Sequence, residues 1–263
     1  MSEDEIILTH ILKCRTIDLV IDKPVLSADQ QRQFEEHKSR RASGEPLQYI
    51  LGTCDFMGLE LAVNQAVLVP RPETEQLVDA ALKYFKGGWV LELGTGSGNI
   101  AIAVARFIPQ SQIVSVDISG QALEVARANA RSHGVDDRIE FIQDDFCRLL
   151  RGEADALQRN SPYDLIISNP PYIPTAQLAA LPRDVQQEPH AALDGGVDGL
   201  DFYRIIIKYT PYLLRSGACL MMEFGDGQAE VIKKLVEDQN AFSRIEIIQD
   251  LAGRDRIIVS YRL

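Results

Sequence analysis

The sequence predicts an α/β protein, a largely parallel sheet with helices on both faces, preceded by a small helical region. Three observations carry this. Strand-like runs alternate with helical stretches from Glu73 onward, a glycine-rich turn joins the first such run to a helix, and apolar residues recur at helical spacing from Ile6 to about Ala42. In chain order, Ile7, Ile11 and Leu12, with Leu8, mark a first helical face that breaks at Pro24 and restarts at the cap-like Ser27. Gln48 to Gly52 and Leu59 to Val63 then alternate apolar and polar residues around glycines, as a β-hairpin does. Trp89–Leu93, Ile113–Asp117, Ile139–Gln143, Leu165–Ser168 and Ala218–Glu223 read as five strands, and Ile245–Gln249 and Ile257–Tyr261 as two more after a final helix. Arg148 to Pro162 is polar and mixed, a helix-and-loop excursion. The expected division is a helical domain over 1–45, a hairpin linker over 46–72 and a sheet domain over 73–263.

Length and composition narrow the class. At 263 residues with 46% hydrophobic content the chain has ample material for a core. Its longest apolar stretch, Phe202 to Leu214, is interrupted by Arg204, Lys208 and Pro211 and falls short of the roughly 20 residues of a membrane span. Ser2, Glu3, Asp4 and Glu5 are the opposite of a signal-peptide start, so a cytoplasmic protein is expected. Cys14, Cys54, Cys147 and Cys219 form no C-x-x-C pair, which points to free thiols and to no metal site. A net charge of −11 disfavours a phosphate-backbone partner, although Arg32, Lys38, Arg40 and Arg41 form a local basic group.

Gly94-Thr95-Gly96-Ser97-Gly98 follows a strand and precedes the apolar run Ile100 to Phe107, placing the glycines in the first strand-to-helix turn. In open α/β sheets a ligand lies beyond the carboxyl ends of the strands, where glycine allows close backbone approach. The spacing is G-x-G-x-G, whereas a dinucleotide fold has G-x-G-x-x-G with its last glycine at the position of Asn99. Glu92 beside the turn would repel a pyrophosphate and suits a cationic sulfonium, that of S-adenosyl-L-methionine. Asp117, with Ile118 beside it, ends the second strand, where a carboxylate can accept both hydrogen bonds of a ribose diol. Asp144, Asp145 and Phe146 end the third and offer a carboxylate for an adenine amino group and an aromatic face for its ring; which aspartate points inward stays open.

Asn169-Pro170-Pro171-Tyr172 follows the fourth strand and emerges on the same sheet edge. The prolines stiffen the loop and leave its carbonyls free as acceptors. Asn169 Oδ1 and the Pro170 carbonyl can hold both N–H bonds of a planar NH2 group against the sulfonium methyl while Tyr172 packs on the plane. An amide nitrogen is a poor nucleophile, so positioning, able to remove roughly 7–11 kcal/mol of a bimolecular barrier, is the main expected contribution. The motif contains no obvious base.

These two motifs resemble those of amino-methyltransferases, which include adenine-N6 DNA methyltransferases and protein-glutamine methyltransferases. Pro46-Leu47-Gln48-Tyr49-Ile50-Leu51-Gly52, Val69-Pro70-Arg71-Pro72-Glu73-Thr74-Glu75, Glu188-Pro189-His190-Ala191-Ala192-Leu193 and Gly195-Gly196-Val197-Asp198-Gly199-Leu200 extend the resemblance over nearly the whole chain, to the bacterial release-factor glutamine methyltransferases, often called PrmC or HemK. That resemblance implies a Rossmann-like class I methyltransferase domain of seven strands, the last antiparallel, behind a helical substrate-recognition domain and a hairpin linker. It implies methylation of the glutamine of the Gly-Gly-Gln motif in class I peptide chain release factors on N5, leaving S-adenosyl-L-homocysteine; a monomer is expected. The departure is Asp145, where some relatives carry an aromatic residue for the adenine. Two readings stand for Val69 to Glu75: a stiff turn with Glu73 or Thr74 capping the next helix, or a cover over the cofactor with Arg71 or Glu75 touching the substrate. His190 reads as structural ahead of proton acceptor. A ribosomal-protein glutamine, adenine in DNA, and a non-catalytic cofactor-binding module are the rival functions.

Overall fold

A computed structural model of the chain describes residues 2–22 and 24–263. Helix α1 (Glu3–Leu12) begins in a capping box, in which the Ser2 hydroxyl accepts from Glu5 N at 3.2 Å and the Glu5 carboxylate accepts from Ser2 N at 2.7 Å. It ends at Lys13 in the left-handed region, giving way to α2 (Thr16–Asp22). The expected restart at Ser27 is a second capping box, with Gln30, opening α3 (Ala28–Ala42). The expected strand over Gln48 to Leu51 is instead helical: α4 (Leu47–Leu51) starts behind Pro46 and ends at Gly52, φ +76°. Leu47, Tyr49 and Ile50 are its buried residues, a spacing that fits either period in so short a run. The hairpin is confined to β1 (Thr53–Phe56) and β2 (Leu59–Ala62), paired antiparallel.

The remainder alternates as α5 (Pro72–Tyr84), β3 (Gly88–Leu93), α6 (Asn99–Phe107), β4 (Ser111–Asp117), α7 (Gly120–Ser132), β5 (Ile139–Gln143), α8 (Phe146–Leu150), β6 (Tyr163–Ser168), α9 (Asp201–Tyr209), β7 (Leu214–Glu223), α10 (Ala229–Asp238), β8 (Phe242–Gln249) and β9 (Asp255–Arg262). The seven-stranded sheet has the order β5-β4-β3-β6-β7-β9-β8, with β9 running opposite to the other six. The chain runs outward from β3 through β4 and β5, then returns to β6 on the other side. This makes the carboxyl ends of β3 and β6 the switch point, where an open α/β sheet forms a crevice.

Strand residues alternate between two cores, as strands covered on both faces require. Val90, Ile113, Leu165, Ile167 and Met221 pack with α5, α6 and α7, while Leu91, Val114, Ile166, Leu220 and Met222 pack with α8, α9 and α10. A small third cluster joins the front of the chain to the sheet. Tyr49 of α4 packs with Val63, Val67, Val69 and Ala122, and its hydroxyl donates to the Val67 carbonyl. Arg41 of α3 adds a polar tie, reaching Glu3 at 3.0 Å and Asp184 at 3.4 Å.

Candidate active site

The Gly94–Gly98 turn leaves β3 and enters α6 with Gly94, Gly96 and Gly98 at φ +85°, +54° and +83°. Gly98 has a second reason to lack a side chain, because a Cβ there would lie 2.9 Å from Ile102 Cδ1 and 3.1 Å from Ala126 Cβ. Asn129 on α7 braces the turn. Its Nδ2 donates to Ser97 O and Ala62 O, both at 2.9 Å, and its Oδ1 accepts from Ala62 N at 2.8 Å, so one buried amide pins the turn to the hairpin. Asp117 crosses the turn from the next strand, its Oδ2 accepting from Gly96 N at 2.8 Å and its Oδ1 from Ser119 N at 2.9 Å. Each oxygen keeps a second lone pair for a ligand.

A cavity of about 620 Å³ opens over this turn. Gly94, Thr95, Gly96, Ser97, Asp117, Ile118, Asp145 and Phe146 line it, as do Asn169, Pro171 and Arg71. Phe146 is buried and packs on Phe202 with ring centroids 5.5 Å apart, leaving a fixed apolar wall. Asp145 caps α8, its Oδ1 accepting from Cys147 N at 2.8 Å, and is the inward one of the two aspartates.

Two expected cofactor contacts are placed elsewhere. Asp144 pairs with Arg148 one turn along, at 3.0 Å to Nε and more closely to Nη2, which holds its carboxyl below the usual range and away from the cavity. Glu92 is fully buried beneath the turn, where it accepts from Ala101 N at 3.2 Å and from the Ser115 hydroxyl. Burial pushes its carboxyl up to about 8, and it does not line this cavity. It satisfies the first turn of α6 and supports the glycine turn from behind instead of facing a sulfonium.

Asn169 stands where this cavity meets a second of about 300 Å³, lined also by Tyr172, Glu73, Glu223 and Arg256; Leu68, Arg71, Asn169 and Ala192 line both. Pro171 faces the larger and Tyr172 the smaller, while Pro170 is buried and lines neither. Burial raises the Tyr172 hydroxyl to about 12, so the ring is a neutral wall. Asn169 Nδ2 donates to Thr74 Oγ1 at 3.1 Å, and the Thr74 hydroxyl donates to Glu223 Oε2 at 2.7 Å. A hydroxyl has one hydrogen, so while it serves Glu223 it can only accept from Asn169, and Asn169 Oδ1 is the end left free.

The Gly195–Leu200 segment fixes the loop of Asn169 from above. Ile173 N donates to Leu193 O at 3.0 Å and Gly195 N to Ile173 O at 2.9 Å. A Cβ at Gly195 would lie 2.8 Å from both Pro171 O and Tyr172 Cα, and one at Gly199 2.3 Å from Tyr172 O. Gly199 and Gly196 also sit at positive φ.

The Val69 to Glu75 segment resolves into cover and strut. Glu188 is 6% exposed and accepts from Val69 N at 3.1 Å and from Arg71 Nη2 at 2.6 Å, strapping the two flanking segments together over the cavities. Arg71 therefore reaches both cavities. Glu75 reaches neither, because its Oε1 accepts from Met57 N at 2.7 Å and ties α5 to the tip of the hairpin. No side chain caps α5; Pro72 opens it, and Thr74 turns to Glu223 instead. His190 is an exposed residue of the larger cavity's rim, with Nδ1 3.9 Å from Asp194 Oδ2, and does not line the smaller one.

Thr74, Glu223, Glu188 and Asn129 are thus site residues to which sequence reasoning assigned no such role. The available signal was a carboxylate closing an otherwise apolar strand, Met221-Met222-Glu223, at the same sheet edge as Asn169.

Comparison with known proteins agrees with this architecture. A family model described as a methyltransferase domain matches residues 85–252, and one described as the PrmC N-terminal domain matches residues 2–52. The chain is 42% identical over 233 residues to the release factor glutamine methyltransferase of Moorella thermoacetica, covering 88% of this chain and 80% of that protein. It is 41% identical over 260 residues to that of Geobacter sulfurreducens, covering 97% and 87%. Among solved structures, a methyltransferase from Pyrococcus furiosus shares the fold at a TM-score of 0.57 and 16% identity, covering 89% of this chain and 98% of that one. On the sheet, the glycine turn, the Asn-Pro-Pro-Tyr loop and these relatives together, the chain belongs to the release factor glutamine methyltransferase family.

Proposed function

We propose that this chain transfers a methyl group from S-adenosyl-L-methionine to the side-chain amide nitrogen, N5, of the Gly-Gly-Gln glutamine of class I peptide chain release factors. The observation that carries the reading is Asn169 at the junction of two cavities, one built for a nucleoside and one walled by Tyr172. Asp117, the glycine turn and Phe146 fit a ribose and an adenine. S-adenosyl-L-methionine supplies the electrophilic methyl, and S-adenosyl-L-homocysteine leaves. The acceptor glutamine enters the smaller cavity, its amide plane against Tyr172. One of its N–H groups donates to Asn169 Oδ1, so the nitrogen is held toward the methyl. Asn169 Oδ1 is the group on which positioning rests, and the Thr74 contact keeps it free. The nitrogen sheds its proton once the new bond forms.

The protein acts on a folded protein partner, in the cytoplasm and as a monomer. Its relatives are named for that substrate, and no helix among the described residues is long and apolar enough to cross a membrane. Incubating the purified protein with a class I release factor and labelled S-adenosyl-L-methionine, followed by peptide mapping, tests the reading. Methylation of the glutamine by the wild type and none by Asn169→Ala is the expected result. Label on DNA and none on glutamine would reverse it.

A further inference from the structure

The smaller cavity contains a carboxylate that the reaction as stated does not use. Glu223 closes β7 at 1% exposure and lines that cavity together with Asn169 and Tyr172. Its Oε2 takes the Thr74 hydroxyl at 2.7 Å, and Thr74 Oγ1 in turn takes Asn169 Nδ2 at 3.1 Å. The path spans three elements, the end of β7, the first turn of α5 and the loop after β6. Among the described residues Glu223 has no salt-bridge partner, and a buried carboxylate so placed costs stability, so its presence against the reacting group asks for a reason.

We propose that Glu223 is a positioning residue for Asn169, its charged carboxylate holding the Thr74 hydroxyl as a donor so that Asn169 Oδ1 stays turned toward the acceptor nitrogen. The inference rests on the proposed reaction and adds a control to it. The side-chain amide of asparagine is nearly symmetric in shape, so packing alone distinguishes its oxygen from its nitrogen poorly; hydrogen bonds must do so. With Glu223 charged, donation runs from Asn169 to Thr74 to Glu223. With Glu223 protonated, donation can run the other way, from Glu223 to Thr74 to Asn169 Oδ1. The amide then presents Nδ2 to the substrate, and an N–H facing an N–H cannot hold it.

The surroundings place this change near neutrality. Burial pushes Glu223 up to about 7; the Thr74 hydroxyl, Arg256 of β9 and the Asn169 amide oppose the rise, and Glu73 of α5 adds to it. Tyr172 and Tyr203, the other titratable groups facing it, stay neutral because burial raises both hydroxyls. Tyr203 donates to the Glu223 main-chain carbonyl at 2.7 Å, which fixes the strand end without touching the carboxylate. Raised pH therefore favours the productive orientation.

Turnover on a class I release factor, with kcat separated from KM between about pH 6 and about pH 9, tests the relay. In the wild type, kcat rises through a single ionisation near 7. Glu223→Gln removes that ionisation from the profile. Thr74→Val lowers kcat by about 10- to 100-fold, with affinity for S-adenosyl-L-methionine unchanged within about threefold, and Thr74→Ser recovers most of the loss and restores the pH step. A step that persists in Glu223→Gln, or a Thr74→Val enzyme within about threefold of wild-type kcat, overturns the proposal.

A second readout does not depend on turnover. In protein labelled with 15N-asparagine, the Asn169 side-chain NH2 signals, assigned by their loss in Asn169→Asp, shift through the same pH range in the wild type and stay fixed in Glu223→Gln. Absence of that shift in the wild type, or its survival in Glu223→Gln, also overturns the relay. Failure of the wild type to methylate glutamine would instead sink the proposed reaction, leaving the relay to be judged by these signals.

Discussion

Asn169 is held through its side-chain amide by Thr74 and Glu223 and faces two cavities. Removing its amide takes away the acceptor proposed for the substrate N–H while leaving the glycine turn and Asp117 intact. Asn169→Ala should therefore lose about 10²- to 10³-fold in kcat, with the dissociation constant for S-adenosyl-L-methionine changed less than about threefold, as turnover and calorimetry would show. Glu92 carries a different prediction. Its folded-state carboxyl is raised from the ordinary 4.5 to about 8, so between those values the native chain retains a proton that the unfolded chain has released. Stability accordingly falls as pH rises through that window and levels off above it. Melting temperature should decline from about pH 5 to about pH 8, and Glu92→Gln should flatten the decline; an unchanged slope would mean the carboxylate is not desolvated as described. Residues of this kind differ in how far the sequence reveals them. Asn169, Asp117 and the glycines were legible because neighbours in sequence define their place. Glu223 and Thr74 lie 149 residues apart, and Glu188 lies 117 from Arg71, so no local pattern announces either pair.

At the scale of elements, the Asn-Pro-Pro-Tyr loop keeps its shape because the Gly195–Gly199 segment lies directly on it. Gly199 combines φ +76° with an approach that would put a Cβ 2.3 Å from the Tyr172 carbonyl, so Gly199→Ala both strains its own backbone and pushes the loop. It should cost more than about 2 kcal/mol in stability, read from denaturant unfolding, and lower kcat at least about tenfold in the fraction that folds. A substitution at Gly217, where nothing lies within 4 Å, would strain the backbone without moving the loop and serves as the control. The seven strands were legible in position because runs such as Ile113–Asp117 are apolar, short and bounded by turn residues. Their ends extend by a few residues beyond the apolar runs, as in β7, which begins at Leu214, paired with Tyr163, ahead of the run from Ala218. Leu47–Leu51 was misread because five residues hold barely one helical turn, and Pro46 and Gly52 punctuate either kind of element.

Across the whole molecule, the segments around Val69 and Glu188 form a strap over the place where the two cavities meet, and the helices at the front of the chain join it through Tyr49 and Arg41. The resemblance in sequence located these segments, but the physical role of Glu188 as their fastener emerges only when both are brought over one sheet edge. The identity of the methyl acceptor is the central point to be measured. Mass mapping of a class I release factor after incubation with this protein and labelled S-adenosyl-L-methionine measures it directly. One methyl on the side-chain amide of the Gly-Gly-Gln glutamine, absent when Asn169→Ala replaces the wild type, is the predicted result; an unmodified glutamine, or label recovered on nucleic acid instead, would contradict the account.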